Sequence, residues 1–203
     1  IMNNFKKNKY LIVKKAIDLK IIKFMTDYLN LKKDVAKTMR DINYKDPHQI
    51  LGTFTDTQIP NTFSIYSDVA NEVLLKNLIP LMEKKTKLKL VPTYSYARIY
   101  KKGDELKRHK DRDSCEISTT LNLGGDPWSI YLEPSGKHNM KAIKIDLKPG
   151  DMLIYKGCDL EHWRKKFKGK QCVQVFLHYN KYKNKKNIYD GRPHLGLPNF
   201  FRK

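Results

Sequence analysis

Between Lys89 and Tyr179, apolar and polar positions alternate with the period of two that marks strands on a buried layer. The segments are short: KLVPTYSYARIY ending at Tyr100, EISTTLNL over 116–123, WSIYLEP, AIKIDL, the apolar run Met152–Tyr155, and CVQVFLHY over 172–179. Turn signals separate them, among them Lys101-Lys102-Gly103-Asp104, Gly124-Gly125 and Pro149-Gly150-Asp151. Six or more strands at this spacing predict a sandwich or barrel. Upstream the period changes. KYLIVKKAI, over 9–17, predicts a short strand. Asp18 then caps a helix whose inward positions are Ile21, Ile22, Met25, Tyr28 and Leu29, running to about Arg40. Asp41–Thr62 holds Pro47, Gly52 and Pro60 and reads as loop, with a short strand near Ile50–Phe54. A second helix starts near Ser67 with Val69, Val73, Leu74, Leu78 and Met82 inward, kinked by Pro80. The expected layout is one domain over 1–203: mainly helical support to residue 87, a β core over 88–179, and a basic tail over 180–203.

Composition narrows the class. Hydrophobic residues make up 40% of the 203, enough for a packed core. No apolar run approaches the roughly 20 residues that cross a bilayer, so no membrane association is expected. Cys115, Cys158 and Cys172 are odd in number and lack zinc-type spacing, which fits free thiols in a reducing compartment, here read as cytoplasmic. The formal charge is +20, and residues 163–203 hold twelve Lys and Arg against the single acid Asp190, a local +11. Such a field attracts an acidic protein or nucleic acid. Solubility alone also accounts for it, and no exposed row of aromatics is evident in the strand pattern to favour nucleic acid.

The chemistry gathers at His109-Lys110-Asp111. In an extended chain, residues two apart share a face, so this imidazole and carboxylate can reach one metal ion. His162 in DLEHWR is placed to supply a third ligand. Two histidines and one carboxylate leave about half of an octahedral sphere open, which suits non-haem Fe(II) oxygen chemistry. His178 and Gln174 alternate on one face of the last strand, and His178 reads as structural.

The order Tyr100-x-x-Gly103, His109-x-Asp111, Leu147-x-Pro149-Gly150-Asp151, then His162 resembles the Fe(II)- and 2-oxoglutarate-dependent dioxygenases, most closely their prolyl 4-hydroxylase-like branch. The resemblance spans about Leu88–Tyr179. It implies a mainly β double-stranded β-helix, or jelly roll, with N-terminal helices on one sheet. It implies His109, Asp111 and His162 as iron ligands, with 2-oxoglutarate and O2 as cosubstrates and ascorbate as reductant. Succinate and CO2 would be released as a substrate C–H bond is hydroxylated, a peptidyl proline by analogy, so a peptide or protein is the expected partner. Tyr100 matches the tyrosine that reaches the cosubstrate. The cation for the distal carboxylate, usually about ten residues after the second histidine, is replaced by Cys172, leaving Lys170, Arg164 and Arg98 as candidates. Arg112 and Trp163, next to ligands, are expected at the mouth of the site, where they would hold substrate.

Overall fold

The alternating segments close into two antiparallel sheets. The computed structural model describes residues 4–138 and 140–203. It opens with α1 (Phe5–Asn8), β1 (Tyr10–Val13), α2 (Leu19–Asp41), β2 (Phe63–Tyr66), α3 (Val69–Asn77) and α4 (Ile79–Thr86). The strands β3 (Leu90–Lys101), β4 (Leu106–His109), β5 (Ile117–Gly125), β6 (Ile130–Leu132) and β7 (Ile143–Ile145) follow, then β8 (Met152–Tyr155), β9 (His162–Arg164) and β10 (Gln171–Lys181). The large sheet runs β1-β8-β5-β10-β3-β2 and the small one β4-β9-β6-β7. This is a double-stranded β-helix.

The large sheet is buried on both faces, and the period of two sorts its side chains. Val173, Val175, Leu177 and Tyr179 of β10 pack with Ala97 and Ile99 of β3 and with Leu29 and Leu75 of the helices. The residues between them face the other way. Tyr94, Tyr96, Arg98 and Tyr100 of β3, with Phe176 and His178 of β10, line a cavity between the sheets. One alternation thus builds a dry core on one side and a polar chamber on the other.

The helices end where local chemistry dictates. Asp18 caps α2 by accepting from the Lys20 and Ile21 N–H groups, at 2.8 and 3.0 Å. The second helix is two: it breaks at Leu78, and Pro80, lacking an N–H, falls in the first turn of α4. Val69 and Val73, expected inward, are 63% and 52% exposed; Leu74, Leu75, Leu78 and Met82 take the buried face. The segment near Ile50–Phe54 contributes only an isolated bridge, Thr53 to Ser64, and is not a strand. In the Pro-Gly-Asp turn, Gly150 has φ +84, and a Cβ there would sit 2.8 Å from Ile22. The end of the basic tail is anchored to the body. Arg192 forms a buried ion pair with Glu72 at 2.7 Å and donates to the Thr93 carbonyl at 3.0 Å. Among the described residues no helix is long and apolar enough to cross a membrane.

Candidate active site

Strand pairing assembles the site. β4 and β9 run antiparallel with His109 directly opposite His162, and their ring centroids are 4.2 Å apart. Asp111, two residues beyond His109, brings its Oδ1 to 3.4 Å from His162 Nε2 and 3.7 Å from His109 Nε2. One ligand atom from each residue lies within 4.8 Å of the others. Each imidazole is oriented from behind: His109 Nδ1 lies 2.7 Å from the Lys107 carbonyl, and His162 Nδ1 lies 3.1 Å from that of Leu160. A carbonyl only accepts, so each Nδ1 carries a proton, and Nε2 is the atom of each ring that faces the Asp111 carboxylate.

Burial, with His162 alongside, lowers the His109 pKa and keeps that ring neutral. For Asp111, burial alone would favour the acid, but His162, His178 and the Ser118 hydroxyl hold its pKa well below the usual carboxylate range. Ser118 Oγ donates to Asp111 Oδ2 at 2.6 Å and lies 3.0 Å from His178 Nδ1. Gly157 N-terminal to Cys158 completes the cradle. Its carbonyl accepts the Asp111 N–H at 2.9 Å, and a Cβ there would fall 2.4 Å from Asp111 Oδ2. Neutral imidazoles and an ionised carboxylate are the protonation states a divalent metal requires. The donor set fits Fe(II). Asp111 also belongs to a second group with Cys115 and His178 whose ligand atoms lie within 4.8 Å of one another.

These three side chains face a cavity of about 290 Å³. Two arginines stand close to Tyr100, whose pKa burial raises and both guanidiniums lower. Arg164 points inward from β9, 1% exposed, and burial lowers its pKa. It donates to the Trp128 carbonyl, to Thr120 Oγ1 at 3.3 Å and to Gln174 Oε1 at 3.4 Å. Its Nε has no partner, and none of those contacts is a carboxylate. Arg98, 2% exposed, is paired with Asp56 at 2.9 Å.

No protein-family model and no curated protein matches the sequence. Solved structures do. A prolyl-4-hydroxylase from Pseudomonas putida superposes with a TM-score of 0.62 at 12% identity, over 87% of this chain and 95% of that one. HygX from Streptomyces hygroscopicus, determined with nickel and 2-oxoglutarate bound, gives 0.61 at 13%, over 88% and 85%. EctD from S. alaskensis, with 2-oxoglutarate and 5-hydroxyectoine, gives 0.63 at 14%, over 92% and 77%. The fold is that of the 2-oxoglutarate-dependent oxygenases.

Within this oxygenase fold the remaining sequence candidates separate. Tyr100 and Arg98 line the cavity, and Arg164 lies close to Tyr100 without lining it. Lys170 is exposed at the surface, its N–H bonded to Asp126, and is not among the lining residues. Arg112 lines the cavity but is held by Asp190 in a two-pronged contact at 2.6 Å on each prong. Trp163 departs from the expectation. His162 and Arg164 point inward, so the residue between them points out, where it stacks on Tyr131 at 5.7 Å beneath Arg108. Ser118, Asp56 and Gln58 were not anticipated. Ser118 sits in an alternating strand whose inward set was legible, whereas Asp56 and Gln58 belong to a loop with no periodicity to read.

Proposed function

We propose that this protein is an Fe(II)- and 2-oxoglutarate-dependent oxygenase that hydroxylates a C–H bond, releasing succinate and CO2. The observation that carries it is a convergent two-histidine, one-carboxylate set beside a buried arginine that has no carboxylate of its own. When bound, Fe(II) with 2-oxoglutarate and O2 supplies oxidative decarboxylation coupled to substrate oxidation.

The chain's residues hold the parts in place. His109, Asp111 and His162 hold the metal, fixed by the Lys107 and Leu160 carbonyls and by Ser118. Arg164 takes the distal carboxylate of 2-oxoglutarate, with Thr120 and Tyr100 beside it. An uncompensated guanidinium in a dry site is costly unless an anion arrives, and a planar fork matches a carboxylate. Cys172, at the position the resemblance reserves for the cation, lies near Arg164 and is small and uncharged. The cation therefore comes from β9 in place of β10. Lys170, exposed, has no such role. The likeness to the P. putida prolyl-4-hydroxylase supports a peptidyl proline as the substrate.

The test is succinate formation from 2-oxoglutarate under air with Fe(II) and ascorbate, with and without proline-containing peptides, for wild type beside Asp111→Ala and His162→Ala. Succinate that both substitutions abolish supports the reading. Binding of the metal without binding of 2-oxoglutarate would instead make the protein a metal-binding jelly roll.

A further inference from the structure

Two buried arginines lie close to Tyr100, and 2-oxoglutarate requires one. With Arg164 assigned to the cosubstrate, Arg98, which lines the cavity and is 2% exposed, is left over. It donates to Gln58 Oε1 at 3.0 Å and to the Tyr96 hydroxyl at 3.2 Å, and its Nε is buried without a partner. Its charge is met by Asp56 alone, at 2.9 Å.

Asp56 does not belong to the barrel. It sits in the 55–59 stretch, which has neither helix nor strand, between the Thr53–Ser64 bridge and β2. Its backbone neighbours brace it only locally, through the Gln58 N–H at 2.7 Å. The Tyr96 hydroxyl also donates to it. Burial raises the Asp56 pKa, but Tyr96, Arg98 and the Gln58 and Ile59 N–H groups more than offset that, so the group is a carboxylate. Asp56 further lines a second cavity of about 360 Å³ that shares Tyr96 and Arg112 with the first. It therefore stands where the two cavities meet, on a loop with neither helix nor strand, covering a cation carried by a strand.

We infer that Arg98, with Tyr96 and Gln58, is the anchor for an anionic group on the substrate, a carboxylate in the first instance, and that Asp56 occupies that anchor until the substrate displaces it. The inference rests on the oxygenase reading above and adds the chemical class of its substrate. β3 is pinned between β2 and β10, so the guanidinium stays while the loop carboxylate leaves towards the second cavity. A neutral substrate cannot make the exchange, because withdrawing Asp56 would leave a buried cation unpaired. An acidic substrate can, and the +20 charge of the chain favours its approach. An anchor on β3 fixes the distance from the anion to the metal and so selects which carbon is oxidised.

The test uses protein loaded with Ni(II) and 2-oxoglutarate, titrated calorimetrically at low salt with propionate and with neutral propionamide. An internal carboxylate that fills the anchor about 90% of the time weakens an incoming one about tenfold. Asp56→Asn is therefore expected to bind propionate about tenfold more tightly than wild type, with no binding of propionamide, and the added Arg98→Gln substitution is expected to remove the site. Equal propionate binding with and without Arg98, or none in Asp56→Asn, would overturn the inference. So would loss of 2-oxoglutarate binding in Arg98→Gln but not in Arg164→Gln, since Arg98 would then serve the cosubstrate. If wild type bound no 2-oxoglutarate, the oxygenase reading would fall and this inference with it; retained 2-oxoglutarate binding without a propionate site would overturn the inference alone.

Discussion

Replacing Arg164 by Met should move two properties in opposite directions. In the free protein the guanidinium is 1% exposed and contacts only neutral acceptors, with Nε unbonded. Keeping such a cation from water costs several kcal/mol after relaxation. Methionine has similar length and no charge, so Arg164→Met removes that cost. It also strips a donor from the Trp128 carbonyl, a loss of about 1–3 kcal/mol. The two nearly cancel, leaving the metal-loaded free protein about as stable as wild type or about 1 kcal/mol more so, which is roughly 2–4 °C in melting temperature at this chain length. The effect on 2-oxoglutarate is one-sided. Truncating a buried, charge-assisted pair costs about 2–5 kcal/mol, a roughly 30- to 5000-fold loss of affinity. Wild type at about 100 times its Kd gains about 2.7 kcal/mol, near 5–10 °C. The variant should gain at most about 0.9 kcal/mol at that concentration, and Arg164→Lys should fall between, keeping charge but losing the fork. Thermal melts of Ni(II)-loaded protein with and without 2-oxoglutarate decide it. A variant that keeps the full ligand shift, or that melts about 10 °C or more below wild type without ligand, would show that Arg164 is a structural cation and refute the reasoning.

Further outcomes follow from the same geometry. Ser118→Ala removes the hydroxyl that fixes Asp111 and should weaken metal binding about 10- to 100-fold, read by competition with a chelating dye. Gly157→Ala drives a methyl to within 2.4 Å of Asp111 Oδ2 and should lower metal affinity at least as much, in the same assay. Glu72→Gln breaks the buried pair that anchors the C-terminal segment and should cost about 3–5 kcal/mol in urea unfolding, whereas the double Glu72→Leu, Arg192→Met should cost less. Burial would raise the Asp190 pKa, but Arg112, Ser114 and Tyr66 hold it below its ordinary value. Its contribution to stability is therefore complete above about pH 4 and is lost as pH falls further. The stability gap between wild type and Asp190→Asn should be wide at pH 7 and close towards pH 2.

The strands were legible because one period sorts both faces of the large sheet. In YSYARIY, over 94–100, alternation already placed Tyr94, Tyr96, Arg98 and Tyr100 together. The spacing of His109 and Asp111 showed that they share a face, but only the β4–β9 register shows that His162 lies opposite His109. Trp163 was misplaced because adjacency to a ligand was read as proximity to the site, while alternation turns it outward. Counting residues did not reveal that Lys170 is exposed and Arg164 buried, since burial depends on which strand supplies the inward position. Asp56 left no trace: a loop residue owes its place to tertiary contacts with Arg98 and Tyr96, not to any local pattern. The basic C-terminal stretch looked uniform in composition, yet Arg164 and Arg192 within it are buried, the first against Trp128, Thr120 and Gln174 and the second in the Glu72 anchor.

The most direct test of the central claim is an anaerobic Fe(II) titration of wild type beside His109→Ala, Asp111→Ala and His162→Ala, with 2-oxoglutarate present. One tightly held ion per wild-type chain, lost or greatly weakened in each variant, is the expected result. Undiminished binding in the variants, or none in wild type, would contradict the assignment of this cluster as the metal centre.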